Sequence, residues 1–447
     1  MRSSATGAKK RGKLTMSFGE KVVLSENTIS TKQFPSFNEL KLLRYFDQNP
    51  RGPEWKKHER HFFVITDSSR PVYIRYGEEI NVTPILCTVV AFTGQLVRDG
   101  DQKLQNFRAG DKFFVFYLPS PFIFVCVSSV PLPISLLEKE LKYLELVIFS
   151  LLTPMIAVQL QRRPNFDIRR QTSSAERLFT SMLHMMDTSH TFLFHDCVPM
   201  CGISRSRNDF KSIVYEHESP SVFGVVIFYL GEVFLIMETK KYHLDTEDII
   251  ILSNNTYPQN DSLSNSWAPI FLPCFQEMIH ILTVDVDKFG LKMILISNQI
   301  DACPECTRVS EAIINDMKTK KNKDLDICGI PQFRENPVIH WIACNKQLSQ
   351  VHSPYIDRTK YAGMADLIYR QYAWIIDYIN DVGTKGMFYF AFDNITIIGK
   401  STNNEMMMVA MDVGVPKERA VVTFSHFESY LNENKDVFFD FDSRKWE

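Results

Sequence analysis

Apolar and polar positions along this chain fall into two rhythms, one of period two and one of period 3.6, and the rhythms recur in a fixed order. His61–Thr66 (HFFVIT) and Pro71–Arg75 (PVYIR) are short β-rich runs split by Asp67-Ser-Ser-Arg70, which predicts two strands and a turn. An uncharged run over Pro84–Val97 then predicts a helix, with Thr83 as its N-cap and Pro84 as its first residue. Strand runs follow at Leu104–Arg108, Lys112–Leu118 and Phe122–Ser128, divided by Ala109-Gly-Asp111 and Pro119-Ser-Pro121. Leu137, Leu141, Leu144, Ile148 and Leu151 step by 4, 3, 4 and 3, the mark of a helix with one apolar face. The order is β-β-α-β-β-β-α.

That order returns twice. Val222–Tyr229 and Val233–Glu238 predict a hairpin around Gly231, and Asp245 caps a helix running to about Asn254. Strands near Pro269–Leu272, Met278–Val286 and Leu291–Ser297 precede a helix near Thr307–Lys318. The last copy reads as a strand at Val338–Cys344, a helix at Met364–Val382, strands at Met387–Phe392, Ile395–Lys400 and Glu405–Met411, and a helix at Glu418–Asn432. The copies share order and spacing, not residue identity. Each is expected to be a mixed sheet with helices packed on it, an α+β layer arrangement. The resulting boundaries are a basic, mostly disordered tail over 1–54 with one short helix near Phe37–Phe46, a first module over 55–163, a helical linker over 164–190, a second module over 191–325 and a third over 326–447.

Composition narrows the class. The chain has 447 residues, enough for about three domains of ordinary size, and 45% of them are hydrophobic, as expected of folded protein. A net charge of −2 argues against nucleic acid as partner, because such proteins carry a basic excess. The basic start, MRSSATGAKKRGKL, has no apolar stretch behind it and so does not read as a secretory signal. Nine scattered cysteines read as reduced and cytosolic. Phe113–Leu137 carries no charge, but Pro119, Pro121, Pro131 and Pro133 make it strands and turns; Val147–Leu160 is short for a bilayer span and holds Pro154.

Motifs for covalent chemistry are missing. The chain has no GxxxxGK[ST], GxGxxG, HExxH or GxSxG, so no catalytic, metal or cofactor site is expected. Cys303-Pro-Glu-Cys306 is the best redox candidate, since it opens a helix whose N-terminus would lower a thiol pKa; a turn with two ordinary cysteines is the plainer reading. Adding Cys197 and Cys201 gives a conceivable zinc set, although the pairs lie far apart in sequence; His190 and His195 read as ordinary loop or core residues. Met406-Met-Met408 reads as core. DVFFDFD reads as a strand, with Phe439 and Phe441 inward and Asp440 and Asp442 in water.

The helix Pro84–Val97 stands out because it has no polar face. Ile85, Val89, Phe92 and Leu96 form one stripe; Leu86, Val90 and Val97 form another; Cys87 and Ala91 fill the remainder. A helix apolar all round should be covered on both sides. Either another module of the same chain covers it or a partner protein does. The hairpin ending Arg75-Tyr-Gly-Glu78 offers an edge strand to the same partner. Lys9, Lys10, Arg11, Arg162, Arg163, Arg169 and Arg170 form basic clusters that would attract anionic lipid or simply be solvated.

His61-Phe-Phe-Val-Ile-Thr66 followed by Arg70-Pro-Val-Tyr-Ile-Arg-Tyr-Gly-Glu78 resembles the Mon-one (SAND) vacuolar fusion proteins, whose pattern is HxFVLSxAGKPIYSRYGxE. Asn165-Phe-Asp-Ile-Arg-Arg170 with Ala175-Glu-Arg177 is similar to that family's YDLRR…SER, and Trp267-Ala-Pro-Ile-Phe-Leu-Pro273 to its WTPxCLP. The family's AGKP is Ser68-Ser-Arg-Pro71 here, and the N-terminal region is short. The resemblance implies three tandem longin-like (profilin-like) folds. It further implies a heterodimer with a Ccz-type longin protein, acting as guanine-nucleotide exchange factor for a late-endosomal Rab GTPase. Recruitment would come from an earlier endosomal Rab and an anionic phosphoinositide membrane, placing the chain in the cytoplasm on endosomal or vacuolar surfaces. The interface would then draw on Arg75, Tyr76, Gly77, Glu78, Pro84, Leu86, Cys87, Val90 and Ala91. A longin adaptor or tether without exchange activity, and a CxxC redox protein, are the competing expectations.

Overall fold

The computed structural model describes residues 21–22 and 51–447, apart from 101–103, 165, 169–171, 173–174, 203–206, 257–264, 274, 287–290, 321–332, 357–362 and 443. The short helix expected near Phe37–Phe46 lies outside these residues. Strand β1 is the pair Lys21–Val22. The first module holds β2 (Arg60–Thr66), β3 (Pro71–Ile74), helix α1 (Glu79–Gly100), β4 (Asn106–Ala109), β5 (Lys112–Tyr117), β6 (Phe122–Ser128) and α2 (Ile134–Leu152). Helices α3 (Met155–Arg162) and α4 (Glu176–Thr188) and the short strand β7 (Val198–Pro199) lead to the second module. It holds α5 (Arg207–Tyr215), β8 (Gly224–Tyr229), β9 (Glu232–Glu238), α6 (Thr246–Thr256), β10 (Ser266–Leu272), β11 (Glu277–Asp285), β12 (Leu291–Ser297) and α7 (Cys303–Lys320). The third holds β13 (Val338–Asn345), β14 (Gln350–His352), α8 (Met364–Val382), β15 (Gly386–Ala391), β16 (Thr396–Ser401), β17 (Glu405–Met411), α9 (Lys417–Glu433) and the single turn α10 (Lys435–Phe438).

The three sheets share one wiring. Their orders are β3-β2-β6-β5-β4, β9-β8-β12-β11-β10 and β14-β13-β17-β16-β15, so in each the second strand lies at the edge beside the first, then the fifth, fourth and third. All these pairings are antiparallel. Three α+β modules of the expected order are therefore present. β14, only three residues long, supplies the strand that no run of apolar residues announced. The third sheet gains β1 beside β15 and β7, in parallel, beside β14.

Each sheet buries both faces. In the first, Phe63, Ile65, Ile123, Val125 and Val127 meet α1, while Phe62, Val64, Phe124 and Cys126 meet α2. Alternation puts successive residues on opposite faces, and here both sets are apolar. The second face belongs to a core that continues through Leu141 of α2 and Met182 of α4 to Tyr372 of α8 and Phe390 of the third sheet. The first and third modules thus share one interior. Met406, Met407 and Met408 fill the two faces of β17, as their position in a strand suggested.

Several expectations change. α1 starts at Glu79, five residues before Pro84, and Thr83 is no cap: its Oγ1 donates to the Glu79 carbonyl at 2.7 Å, inside the helix. Pro84, inside the helix, forgoes the bond to the Ile80 carbonyl. Val147–Leu160 is the junction of α2 and α3, bent by 88° around Thr153-Pro154; no single helix among the described residues is long and apolar enough to cross a membrane. DVFFDFD is not a strand with wet acids. Phe438 closes α10, Phe439 is buried, Phe441 is exposed, and Asp440 is a buried partner of Lys211 in α5 at 3.1 Å. A buried ammonium elsewhere in the fold outweighed the local alternation.

The stretch after α10 returns to the second module. Trp446 is fully buried within that module's core, its backbone N–H donates to the Glu238 carbonyl at 2.9 Å, and the Lys240 backbone N–H donates to its carbonyl at 2.9 Å.

Candidate docking face

The site is built on α1. Val82, Leu86, Val89 and Thr93 step by 4, 3 and 4 and form the face buried on the first sheet. The opposite face carries Ile80, Ile85 and Phe92, exposed by 79%, 48% and 46%, with Pro84, Cys87, Thr88 and Ala91 also exposed among them. Among the described side chains this face of α1 has no charge beyond Glu79, because no charge occurs from Asn81 to Val97. Neither helix that holds the same place in the other modules is like this. Ile249, Ile250, Ile251 and Leu252 of α6 are all buried, and α8 buries Leu367, Ile368, Tyr372, Ile375, Ile376 and Ile379. The neighbouring modules cover α6 and α8; among the described residues the outer face of α1 stays open. Of the two expectations for this helix, cover by another module is not met among the described residues.

The apolar surface continues sideways. Phe92 meets Phe107 of β4 edge-on at 5.9 Å, and Phe107 stacks on Phe114 of β5 at 4.6 Å. β4 is the free edge of its sheet, four residues long and mostly exposed.

The residues singled out from sequence divide into two sets. Glu78, Pro84, Cys87 and Ala91 lie on the open surface, and Val90 is half-buried. Arg75, Tyr76, Gly77 and Leu86 face inward. Leu86 packs on the sheet. Arg75 pairs with Asp187 of α4, and Tyr76 stacks on His58 with ring centroids 3.6 Å apart. Gly77 has φ +95°, and a Cβ there would come within 2.8 Å of the Trp55 ring, so only glycine fits. This turn therefore shapes the start of α1 from beneath, while β3 before it forms one edge of the first sheet. Ile80 joins the face unannounced; recognising that the helix begins before Pro84 would have revealed it.

A charged cluster lies behind the turn. Arg60 donates to both Glu140 carboxylate oxygens at 2.7 and 2.9 Å and also pairs with Asp187; Arg370 of α8 pairs with Glu59 at 2.6 Å. Burial and the Arg75 charge lower the His58 pKa, and burial with the charges of Lys112 and His58 takes His61 down to about 3.

The cysteine alternatives fare differently. Cys303 does open α7, but Cys306 is buried and its thiol is pushed up to about 12 by burial and by Cys303 and Glu305 nearby. The expected helix-dipole activation is overridden by desolvation. Cys201 is buried and donates to the Gly202 carbonyl at 3.1 Å, while Cys197 lies 3.4 Å from Cys344 of β13, a pairing not read from sequence. Among the described residues no group of three or more His, Cys, Asp or Glu side chains is arranged to hold a metal ion. His190 is a core residue that bonds the Ala365 carbonyl at 3.2 Å; His195 is also mostly buried, and burial takes its pKa down to about 4. Arg162 and Arg163 are exposed at the end of α3. Lys9, Lys10, Arg11, Arg169 and Arg170 lie outside the described residues.

Residues 60–182 match the model of the first longin domain of FUZ, MON1 and HPS1. The first module is a longin domain. A MON1 homolog from Arabidopsis thaliana is 23% identical over 278 residues, 61% of this chain and 45% of that protein. The MON1 homologs A from Bos taurus and Homo sapiens are each 24% identical over 277 residues, covering 59% of this chain and 48% and 41% of theirs. The chain is similar to the Mon-one (SAND) proteins. Its aligned part spans less than half the length of these vacuolar fusion proteins.

Proposed function

We propose that this chain is the Mon-one-type subunit of a heterodimeric exchange factor in endosome-to-vacuole traffic. One observation carries the docking part of this reading: α1 leaves open a wide apolar face that its counterparts α6 and α8 have covered. Exposed apolar patches of this kind mark protein interfaces. A Ccz-type longin protein would lay its own helix and sheet edge against α1, Phe107 and the free edge of β4. The similarity to vacuolar fusion proteins supports the cellular setting.

The pair would act on a late-endosomal Rab GTPase. Exchange requires no bond-making residue: the factor binds the nucleotide-free Rab more tightly than the loaded one, and only that difference in affinity shifts the equilibrium toward release of GDP. Membrane recruitment would come from an upstream endosomal Rab and from anionic phosphoinositide meeting basic side chains such as Arg162 and Arg163.

The test is direct. The chain is co-expressed with a Ccz-type protein, and release of fluorescent GDP from the Rab is followed. Acceleration by the purified pair supports the exchange reading. A stable pair that leaves GDP release at the spontaneous rate, with a Rab that still releases GDP to EDTA, would leave an adaptor or tether.

A further inference from the structure

The turn that opens α1 is tied to the rest of the molecule through one carboxylate. Asp187, near the end of α4, forms an ion pair with Arg60 through Oδ1 and accepts a hydrogen bond from Arg75 on Oδ2, and all three side chains are buried. Arg75 stands immediately after β3 and four residues before α1. Its guanidinium lies over the rings of Phe62 and Tyr76, at 5.4 and 5.0 Å from their centroids. Tyr76 and Gly77 are in turn clamped by His58 and Trp55. Among the described residues, Asp187 is the one carboxylate bonded to Arg75; Arg60 keeps a second, Glu140.

Helix α4 is itself fastened on several sides. Ser181 donates to the Asn254 side-chain oxygen of α6 in the second module, and Asn254 donates back to the Leu178 carbonyl at 3.0 Å. Tyr73 of β3 stacks on Phe179 at 4.6 Å and shares a hydrogen bond with Thr180 at 3.3 Å. Glu59, beside Arg60, holds Arg370 of α8 in the third module. The rigid frame of three modules thus meets the start of α1 at the Asp187–Arg75 pair.

We propose that Asp187 is a positioning residue: through Arg75 it sets the turn 75–78 and hence the seating of α1 and its open apolar face. This rests on the reading of that face as the docking surface. Removing the carboxylate leaves Arg60 paired with Glu140 but leaves Arg75 buried without its counter-charge. The loss therefore falls on the turn. A merely structural carboxylate in the same cluster behaves differently, and Glu140 supplies the comparison, since Glu140→Gln weakens the cluster without touching Arg75.

The experiment uses the full chain, alone and with the Ccz-type partner. Hydrogen exchange is read by mass spectrometry over residues 71–92, and partner affinity is measured alongside. Asp187→Asn and Arg75→Met should each raise exchange in that segment and weaken the partner by about tenfold or more, and the double variant should be no worse than either. Asp187→Glu should recover part of the affinity. Glu140→Gln should lower the melting temperature while leaving exchange over 71–92 and affinity within about twofold. Should Asp187→Asn fail to fold, Arg75→Lys, which keeps the charge but loses the planar fork, is read in the same assays. Equal effects of Glu140→Gln and Asp187→Asn on that segment, or unchanged exchange in both Asp187→Asn and Arg75→Lys, would overturn the proposal. If the wild-type chain binds no partner, the docking reading fails on its own and the exchange measurement still decides the role of Asp187.

Discussion

Trp446 is the largest fully buried side chain of the molecule, yet it stands in the polar run Asp442-Ser-Arg-Lys-Trp-Glu447. Its indole fills the core of the second module beside Phe210, Phe234 and Ile313. Trp446→Ala should cost about 3–5 kcal/mol, the usual penalty for emptying such a site, and urea denaturation should show it. A variant within about 1 kcal/mol of wild type would mean that the site closes over. His352 offers a second test. Burial brings it down to about 4, and burial together with His190 holds His340 well below its ordinary value. A histidine with a depressed folded pKa contributes stability that is whole above about 6.5 and is lost as pH falls toward the folded value, because the unfolded chain binds the extra proton. Stability should therefore fall between pH 6.5 and 4, and His352→Gln should flatten that slope in denaturation series at stepped pH. Neither residue was legible in advance. Periodicity reports local faces, whereas Trp446 is buried by a core more than a hundred residues away in sequence and Asp440 by Lys211, 229 residues away.

At the scale of elements the sequence was more open. Strand β6, strand β12, helix α8 and strand β17 stand where alternation and 3.6-residue spacing place them, because each is long enough to show its period. β14 is too short to show one, and α1 was misplaced because Pro84 looked like a first helical residue. The misplacement matters for choosing variants. Leu86→Asp would put a charge under α1 and unfold the first module, so it says nothing about docking. Ile85→Asp and Phe92→Asp lie on the open face. Each should shift stability by less than about 1 kcal/mol, measured by thermal melting, while abolishing co-purification of the longin partner. Cys87 reports the same face without mutation. It is exposed, so it should be alkylated in the free chain and protected in the pair, as read by site-resolved mass spectrometry.

For the whole molecule, the threefold order of elements could be read along the chain, but the way the modules lock together could not. The common strand order makes three separate longin-like units, each with its own sheet. The core then joins two of them: Phe62 and Phe124 of the first sheet and Phe388 and Phe390 of the third belong to one apolar cluster bridged by α2, α4 and α8. The first and third modules should therefore melt together. The second is attached differently, through β7, through Ser181–Asn254, through α2 packing on β10 and α6, and through residues 440–447, where Lys211–Asp440, Lys445–Glu238 and the buried Trp446 act in sequence. Deleting 440–447 removes one side of each of those last three contacts without altering the shared core of the first and third modules. Calorimetry should show the second module leaving that single melting unit and unfolding at lower temperature, while the first and third still melt as one. Three independent transitions in the intact chain would contradict the shared core. An unchanged profile after the deletion would show that β7, the α4–α6 contact and the packing of α2 on β10 and α6 suffice to hold the second module in place.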